Sequence, residues 1–461
     1  MTTNGGRVNI REISLEALLL ILEQGAFSHL VISNALKKYQ YLEKKDRAFF
    51  TRLTEGTLER LITLDYVLSC YSNVPVKKMK PVIRIILRMG VYQLLYMDSV
   101  PDSAACNEAV RLAERKGFST LKGFVNGVLR SVAREKNNVL LPEKISLSVR
   151  YSMPEWIVEK WKKAYGEKQT EKILAAFLEE RKTTVRFNFD RAPKEKIKEM
   201  LQKEQVIVEE SGVLPYAFLL SSYDYLDNVT AFIEGYISVQ DIASMMVAEV
   251  SGVTKGNQIL DVCAAPGGKS LHLAELLHGT GYVEARDISA YKVGLIEENI
   301  DRTKLSNIKT KVWDATKLDP IWQGKADIVL ADLPCSGLGV MGRKNDIKYK
   351  IKEENCKELV ILQRKILEVV SCYVKPGGYL IYSTCTLNPE ENQEQVEWIQ
   401  KNLPFEAENI LPFLPDNFKN SLLEEAEKTA KKGYLTFLPG IYQTDGFFLA
   451  RLKRKTDGKG Y

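Results

Sequence analysis

The sequence is poor in histidine, in paired cysteines and in long apolar runs. Its only histidines are His29, His272 and His278, too few for histidine-based catalysis or a histidine-rich metal site. None of the seven cysteines forms a CxxC pair, which argues against a zinc site or a disulfide framework and favours a reducing, cytoplasmic setting. No stretch approaches the roughly 20 consecutive apolar residues of a membrane helix. We therefore expect neither a metal nor a membrane partner.

The N-terminal segment also lacks the features of a signal peptide. Its apolar run at residues 18–22 is short, and Glu16 and Glu23 lie close on either side. No small-residue cleavage site follows that run, so we expect no secretory signal.

The composition is that of an ordinary globular protein, with 45% hydrophobic and 27% charged residues. A length of 461 residues predicts roughly two to four domains. The basic excess is uneven. Residues 1–150 contain 23 lysines and arginines against 14 aspartates and glutamates, a net charge of +9, whereas the remainder has 42 against 45, or −3. This concentration favours a nucleic-acid partner, with a solvated, lysine-rich helical surface as the alternative.

Residues 1–140 have the periodicity of an all-helical bundle. Apolar residues recur at helical spacing from residue 15 to 22 and again from 50 to 61, as amphipathic helices require. Pro81 begins a run that is apolar on nearly every side up to residue 95, which predicts a buried central helix. Two more helices are predicted, at 101–117 and 120–134. A polar connection begins at residues 136–138.

The remainder of the chain predicts two further parts. Residues 145–235 are expected to form a small α+β module, with strands at 183–189 and 206–208 and a charged helix at 194–203. Between residues 236 and 455, strands alternate with helices, which indicates a mostly parallel sheet covered on both faces. Its strands are predicted at 258–262, 282–285, 311–313, 326–330, 379–383 and, antiparallel, 446–450. The expected fold class is therefore multidomain, with an all-α bundle, an α+β module and a Rossmann-like α/β domain.

The first strand of the α/β part ends in a glycine-rich turn with the sequence DVCAAPGGKS, residues 261–270. Such a turn between a strand and a helix lets the backbone approach a nucleotide-like ligand closely. The turn is not a P-loop, because Cys263 stands where that motif requires glycine, and it is not GxGxxG either. A ligand without a phosphate chain is therefore favoured.

Carboxylates follow the ends of the next strands. Asp287 comes 20 residues after Gly267, a spacing that suits binding of both ribose hydroxyls of an adenosine. Asp314 is placed to accept from an adenine amino group, and Asp332 ends the fourth strand. Each alone could be a helix cap or a loop residue. Together, at the carboxyl ends of parallel strands, they predict a ligand crevice.

Two cysteines also follow neighbouring strand ends, Cys335 in ADLPCSGLG and Cys385 in YSTCTLNPEEN. A thiolate there could attack carbon 6 of a pyrimidine, which makes carbon 5 nucleophilic enough to take a methyl group, and a second cysteine suits the later elimination. A disulfide between the two is the competing interpretation, and a cytoplasmic setting argues against it. Cys70, Cys106 and Cys372 are expected to be small buried apolar residues.

The three motifs DVCAAPGGKS, ADLPCSGLG and YSTCTLNPEEN resemble those of the S-adenosylmethionine-dependent RNA cytosine-5 methyltransferases. The combination of the AAPGGK block with both a Pro-Cys and a Thr-Cys cysteine makes this resemblance specific. The N-terminal bundle resembles the RNA-binding fold of the NusB antitermination factor. A NusB-like domain fused to such a methyltransferase resembles the 16S ribosomal RNA methyltransferases of the Sun/RsmB type. The resemblance covers nearly the whole chain and is weakest over residues 145–235.

The resemblance implies a role for each matching residue. Cys385 would be the nucleophile, Cys335 would assist removal of the proton from carbon 5, and Asp332 would lie beside the cytosine ring and the methionine end of the cofactor. Asp287 would bind the ribose and Asp314 the adenine side. The residues expected to wrap the cofactor are Cys263, Ala264, Ala265, Pro266, Gly267, Gly268 and Lys269. DNA cytosine methyltransferases use the PC cysteine as the nucleophile instead, and the sequence alone leaves that exchange open.

Three functions differ in how well they agree with these residues. The first is methyl transfer from S-adenosylmethionine to carbon 5 of a flipped or single-stranded cytosine in small-subunit ribosomal RNA. The second is a non-catalytic, antitermination-like RNA-binding protein, which the joint presence of Cys385, Cys335 and Asp332 disfavours. The third is a dehydrogenase on the same fold, which the missing GxGxxG disfavours. We expect a monomer whose partner is small-subunit ribosomal RNA.

Overall fold

The computed structural model of the protein describes residues 8–136 and 145–456. Residues 137 and 138 of the predicted polar connection lie outside the described residues. The helices before the first strand are α1 (Ile10–Glu23), α2 (Ser28–Lys38), α3 (Lys44–Glu59), α4 (Leu61–Tyr71), α5 (Pro81–Tyr96), α6 (Asp102–Arg115), α7 (Lys122–Glu135), α8 (Leu147–Arg150), α9 (Glu155–Tyr165) and α10 (Glu167–Ala176).

The later helices are α11 (Lys194–Lys203), α12 (Thr230–Ile233), α13 (Ile242–Ser251), α14 (Gly268–Leu276), α15 (Ala290–Thr303), α16 (Ile347–Lys350), α17 (Glu353–Val370), α18 (Gln393–Asn402), α19 (Asp416–Lys419) and α20 (Glu424–Lys431). The strands are β1 (Thr183–Phe187), β2 (Ile207–Glu210), β3 (Ala217–Ser221), β4 (Ile237–Val239), β5 (Gln258–Asp261), β6 (Tyr282–Asp287), β7 (Ile308–Val312), β8 (Ala326–Asp332), β9 (Val374–Thr384), β10 (Phe405–Ala407), β11 (Tyr434–Phe437) and β12 (Phe447–Arg454). Within residues 8–136 and 145–456, no helix has both the length and the apolar character that a membrane crossing requires.

The chain divides into two compact units. Unit 1 contains the residues up to Leu178 together with the segment Met341–Lys350, and unit 2 contains the residues from Glu179 onward except that segment. The division falls inside the α+β module predicted for residues 145–235. Helices α8 to α10 belong to unit 1, whereas strands β1 to β3 belong to unit 2.

Unit 1 is helical, and α5 is its central helix as the sequence predicted. Pro81 occupies the first turn of α5, where its missing N–H costs nothing. Most residues of α5 are buried, because α1, α3, α4, α6 and α7 all pack against it. Helix α2 was not predicted, because most of its residues are partly or fully exposed and it therefore carries little apolar periodicity.

The segment Met341–Lys350 is held in unit 1 by buried polar contacts. The Asp346 carboxylate accepts hydrogen bonds from the backbone N–H and the hydroxyl of Ser28. Lys348 Nζ donates to the carbonyl oxygen of Glu59 at 2.8 Å. Both side chains are almost fully buried, and burial lowers the pKa of Lys348 to about 7.

Unit 2 begins with a small antiparallel sheet of strand order β2-β3-β1-β4. Strands β1 and β2 were predicted from the sequence, whereas β3 and β4 were not. Strand β3 is apolar along most of its length and partly buried on both faces, so it lacks the alternation that marks a half-buried strand. Strand β4 has only three residues. It lies beyond residue 235 and still pairs with β1.

The larger sheet of unit 2 has the strand order β10-β12-β9-β8-β5-β6-β7, with β11 also on β12. Strands β7, β6, β5, β8 and β9 are parallel, and β12 is antiparallel to β9 as predicted. The strand predicted at 311–313 overlaps β7, but its start was placed three residues too late and its end one residue too late. Strand β7 is an edge strand in which lysines alternate with apolar and hydroxyl residues, so its apolar signal is weak. The strand order reverses between β5 and β8, where open α/β sheets bind their ligands.

Candidate active site

The glycine-rich loop connects β5 to α14 at this reversal. Gly267 precedes α14 with φ +103°, and a Cβ there would lie 3.1 Å from Cγ2 of Ile296, so the position favours glycine. The N–H of Ala264 donates to the carbonyl of Arg286 at 2.7 Å, and the N–H of Gly267 donates to the carbonyl of Ala264 at 2.7 Å. These bonds give the loop a defined shape at the carboxyl ends of the strands.

Asp287, at the end of β6, contacts this loop directly. Its Oδ2 accepts from the N–H of Ala265 at 3.1 Å, and its Oδ1 accepts from the N–H of Ile288 at 2.8 Å. Lys292 Nζ lies 3.1 Å from Oδ1. Asp287 is 4% exposed. The structure therefore brings Asp287 together with the loop predicted to bind the cofactor.

Asp314 lies two residues beyond β7. Its Oδ1 accepts from the backbone N–H of Thr316 at 2.9 Å and from the Thr316 hydroxyl at 2.7 Å. These bonds, aided by Lys317, lower the pKa of Asp314. All of its described hydrogen bonds are made with residues of its own turn. This is how a carboxylate with a purely local loop role would bond.

Asp332, at the end of β8, is held by two side chains from neighbouring elements. Lys269 Nζ, in the first turn of α14, donates to Oδ2 at 2.7 Å, and the Ser383 hydroxyl of β9 donates to Oδ1 at 2.7 Å. Burial by itself lowers the pKa of Lys269, but the charge and hydrogen bond of Asp332, followed by Cys385, outweigh it and raise this pKa. Lys269 therefore remains an ammonium beside the carboxylate.

The two predicted cysteines lie against each other. Cys335 Sγ is 3.3 Å from Cys385 Sγ, without a disulfide. The contact with Cys385 and then burial raise the pKa of Cys335 well above its usual range. Their loops are also joined through the backbone, because the N–H of Gly339 donates to the carbonyl of Cys385 at 2.9 Å and the N–H of Gly446 donates to the carbonyl of Gly339 at 2.8 Å.

The prediction for the other cysteines was partly wrong. Cys106 is buried as expected, but Cys70 is exposed and Cys372 is only partly buried. Cys70 belongs to the last turn of α4, where the helix leaves the core of unit 1. Cys356, which had no predicted role, is fully buried in α17.

Asp261, the last residue of β5, belongs to the site although no role was predicted for it. Its Oδ2 accepts from the Ser270 hydroxyl at 2.5 Å and its Oδ1 accepts from the N–H of Cys263 at 3.3 Å. Burial raises the pKa of Asp261 to about 7. The strand-end rule that identified Asp287 applies equally to this residue and could have found it. Across the part of the chain that the structure describes, no group of three or more His, Cys, Asp and Glu side chains is arranged to hold a metal.

Comparison with known proteins places this architecture in a family. Residues 250–453 match the family described as 16S rRNA methyltransferase RsmB/F, residues 8–134 match the NusB family, and residues 153–224 match the ferredoxin-like domain of RsmF/B-like methyltransferases. These matches confirm the predicted NusB-like bundle, small α+β module and Rossmann-like methyltransferase domain.

Full-length relatives agree with the domain matches. The chain is 36% identical to the probable ribosomal RNA small subunit methyltransferase B of Bacillus subtilis, over 97% of this chain and 99% of that protein. It is 33% identical to the protein of the same name from Synechocystis sp., over 97% and 100%.

Solved structures share the fold. The crystal structure of PH0851 is 25% identical and covers 98% of this chain and 100% of its own, with a TM-score of 0.80. The structure of NSun6 from Pyrococcus horikoshii, 24% identical, covers 66% of this chain and 99% of its own, with a TM-score of 0.58. The motifs, the site and the full-length match lead to one assignment: the chain belongs to the RsmB/F family of 16S ribosomal RNA methyltransferases.

Proposed function

We propose that the protein transfers a methyl group from S-adenosylmethionine to carbon 5 of a cytosine in small-subunit (16S) ribosomal RNA, through a covalent bond between Cys385 and carbon 6 of the base. The observation that carries the proposal is the 3.3 Å separation of the Cys335 and Cys385 sulfurs. The two sulfurs follow the ends of the neighbouring strands β8 and β9, beside the Asp332 and Lys269 pair.

The residues around the glycine-rich loop fit an adenosine-containing cofactor. An ionised carboxylate has about four acceptor sites, and Asp287 uses fewer than that on the loop and Lys292, which leaves capacity for a ribose hydroxyl. Residues 263–269 and Asp287 would hold the cofactor, with Asp314 towards the adenine. When bound, S-adenosylmethionine supplies the electrophilic methyl group.

We assign the attacking thiolate to Cys385, as the family resemblance implies. Cys335 has a raised pKa and remains a thiol at neutral pH. The Lys269 ammonium interacts with Cys385, and a nearby cation stabilises a thiolate. The cation beside Cys385 supports the assignment that the resemblance implies, and the cysteine variants described below test it against the exchanged roles of the DNA enzymes.

The proposed reaction balances within these groups. The Cys385 thiolate forms a bond to carbon 6, and the electron pair of the C5–C6 double bond moves to carbon 5, which takes the methyl group and leaves S-adenosylhomocysteine as the released product. Cys335 is a thiol and positions a water molecule that accepts the proton from carbon 5. The electrons of that C–H bond restore the double bond and expel the Cys385 thiolate. We assign Asp332, held by Lys269 and Ser383, to the edge of the cytosine ring.

Unit 1 is proposed to bind the RNA backbone. Its α6 and α7 line a groove of about 540 Å³ that contains Arg111, Lys122 and Arg130. Cationic side chains along a groove suit phosphate contacts, which fix the position of an RNA without reading its sequence. Methylation at carbon 5 requires the base to be out of its stack.

The test is methyl transfer from labelled S-adenosylmethionine to protein-free small-subunit ribosomal RNA, with the product nucleoside identified by mass. Wild type and the control Cys372→Ala should give 5-methylcytosine, Cys385→Ala should give none, and Cys335→Ala should accumulate a covalent RNA adduct. An adduct in Cys385→Ala would instead assign attack to Cys335.

The same assay on assembled subunits separates the remaining alternatives. If RNA is bound but neither naked RNA nor assembled subunits are methylated, the protein acts as the non-catalytic RNA-binding alternative.

A further inference from the structure

The NPEEN half of the YSTCTLNPEEN motif has no role in the reaction described above. Its side chains Asn388, Glu391 and Asn392 are fully buried, and Gln363 of α17 is buried with them. Buried polar groups of this kind cost stability unless they are hydrogen-bonded. Their partners lie in the two loops that carry Cys335 and Cys385.

Glu391 is the centre of this network and accepts four hydrogen bonds. Its Oε1 accepts from the Ser336 hydroxyl at 2.5 Å and from Asn388 Nδ2 at 3.0 Å. Its Oε2 accepts from the backbone N–H of Ser336 at 2.9 Å and from Gln363 Nε2 at 3.0 Å. Four donors satisfy the acceptor capacity of an ionised carboxylate.

The network fixes the chain on both sides of Cys335. Glu391 holds the N–H of the following residue, Ser336. Gln363 Nε2, which bonds to Glu391, also donates to the carbonyl of the preceding residue, Pro334, at 3.0 Å. The position of the Cys335 backbone therefore depends on Glu391 and its partner Gln363.

The chain on both sides of Cys385 is fixed in the same way. The Thr384 hydroxyl donates to Asn392 Oδ1 at 2.6 Å, and Asn392 Nδ2 donates to the carbonyl of Thr386 at 3.0 Å. The Thr386 and Ser336 hydroxyls are 2.7 Å apart. The two loops therefore share one continuous set of buried hydrogen bonds.

We propose that Glu391 is a positioning residue that ties the two cysteine loops together and holds their sulfurs at reactive spacing. It acts through Ser336 and Asn388 and touches no reacting atom. Its effect on turnover rests on the proposed function, whereas its effect on the spacing of the two thiols does not.

Replacing the carboxylate by its amide tests the proposal with little change of shape. In Glu391→Gln, an NH₂ group replaces one oxygen and faces groups that are themselves donors, so hydrogen bonds to the Cys335 loop are lost. The matched control is Glu394→Gln, an exposed residue in the first turn of α18. Ser336→Ala is a milder second variant that keeps the backbone contact and removes the hydroxyl.

The direct readout is the rate at which Cys335 and Cys385 form a disulfide in the full-length protein treated with diamide. The two thiols lose two protons and two electrons, the S–S bond forms, and the N=N bond of diamide is reduced to the hydrazine. Mass spectrometry of the joined tryptic peptides follows this pair specifically. Wild type and Glu394→Gln should react alike, and Glu391→Gln should be at least about tenfold slower, since misplacement by ~1 Å costs up to about 10²-fold in proximity-driven reactions.

A measurement of methyl transfer accompanies the disulfide assay. Glu391→Gln should lower kcat by at least about tenfold with little change in KM for RNA, and should accumulate covalent adduct as Cys335→Ala does. If Glu391→Gln and Ser336→Ala, folded by their melting profiles, both form the disulfide at the wild-type rate, Glu391 does not set the spacing. If the disulfide slows while wild type shows no cytosine methylation, the positioning role stands and the proposed function fails. Should Glu391→Gln fail to fold, a wild-type rate in Ser336→Ala alone overturns the proposal.

Discussion

Asp261→Asn should make the protein more stable at neutral pH, although it removes a buried, hydrogen-bonded carboxyl group. Asp261 is 1% exposed, and burial raises its pKa from 3.8 to about 7. The folded protein therefore binds a proton at this site that the unfolded chain has already released. Asparagine can keep both contacts, since its oxygen can accept from the N–H of Cys263 and its NH₂ group can donate to the Ser270 hydroxyl.

The sign and size follow from proton linkage. Well below pH 3.8, Asp261 is protonated in both the folded and unfolded states, and its contribution to stability is fully present. As the pH rises towards 7, the unfolded chain ionises and the folded protein does not, so the free energy of unfolding falls. At ~1.4 kcal/mol for each pH unit, the loss reaches at most about 4 kcal/mol. Above pH 7 it is complete.

Calorimetric unfolding of wild type and Asp261→Asn between pH 4 and 8 measures this difference. The advantage of the variant should grow across that interval, by at most about 8–16 °C in Tm at ~2–4 °C for each kcal/mol. Asp301→Asn, an exposed residue of α15, controls for loss of a surface charge. A difference between wild type and Asp261→Asn that stays constant with pH, or that favours wild type increasingly as the pH rises, would refute the reasoning.

Two further predictions concern the cysteine loops and the RNA surface. Gly339→Ala should lower methyl transfer strongly, because the new Cβ would lie 1.9 Å from the carbonyl oxygen of Gly446 and would displace the loop that bonds to Cys385. Binding of S-adenosylmethionine, measured by calorimetry, should change little. Normal turnover in this variant would contradict the prediction. Lys122→Glu and Arg130→Glu should weaken RNA binding. They should also reduce the salt dependence of the binding constant by about one counterion for each lost phosphate contact. If the binding constant depends on potassium chloride concentration as it does in the wild type, the RNA binds elsewhere.

The sequence predicted the features that depend on local chain geometry. The glycine-rich loop follows its strand directly, and Cys335 and Cys385 meet because β8 and β9 are adjacent in the sheet. Strands β3, β4, β7, β10 and β11 were missed or misplaced because apolar, short or edge strands carry no clear alternation. Side-chain hydrogen bonds between residues far apart in the sequence have no local sequence pattern from which they could be predicted. The Glu391 bond to Ser336 spans 55 residues, and nothing in the sequence near Asp346 indicates that it bonds to Ser28 in unit 1.

The buried polar groups of the site are better explained by positioning than by stability. Replacing buried charged groups by well-packed apolar residues is often neutral or stabilising, and the raised pKa of Asp261 indicates that this carboxyl group lowers stability at neutral pH. Asp261 and Glu391 nevertheless each bond to a loop of the site, the first to the glycine-rich loop and the second to the Cys335 loop. Directional hydrogen bonds fix a loop in a way that apolar packing does not. The structure therefore accounts for both residues if their role is to hold the cofactor loop and the two thiols in a fixed arrangement, at some loss of folding stability.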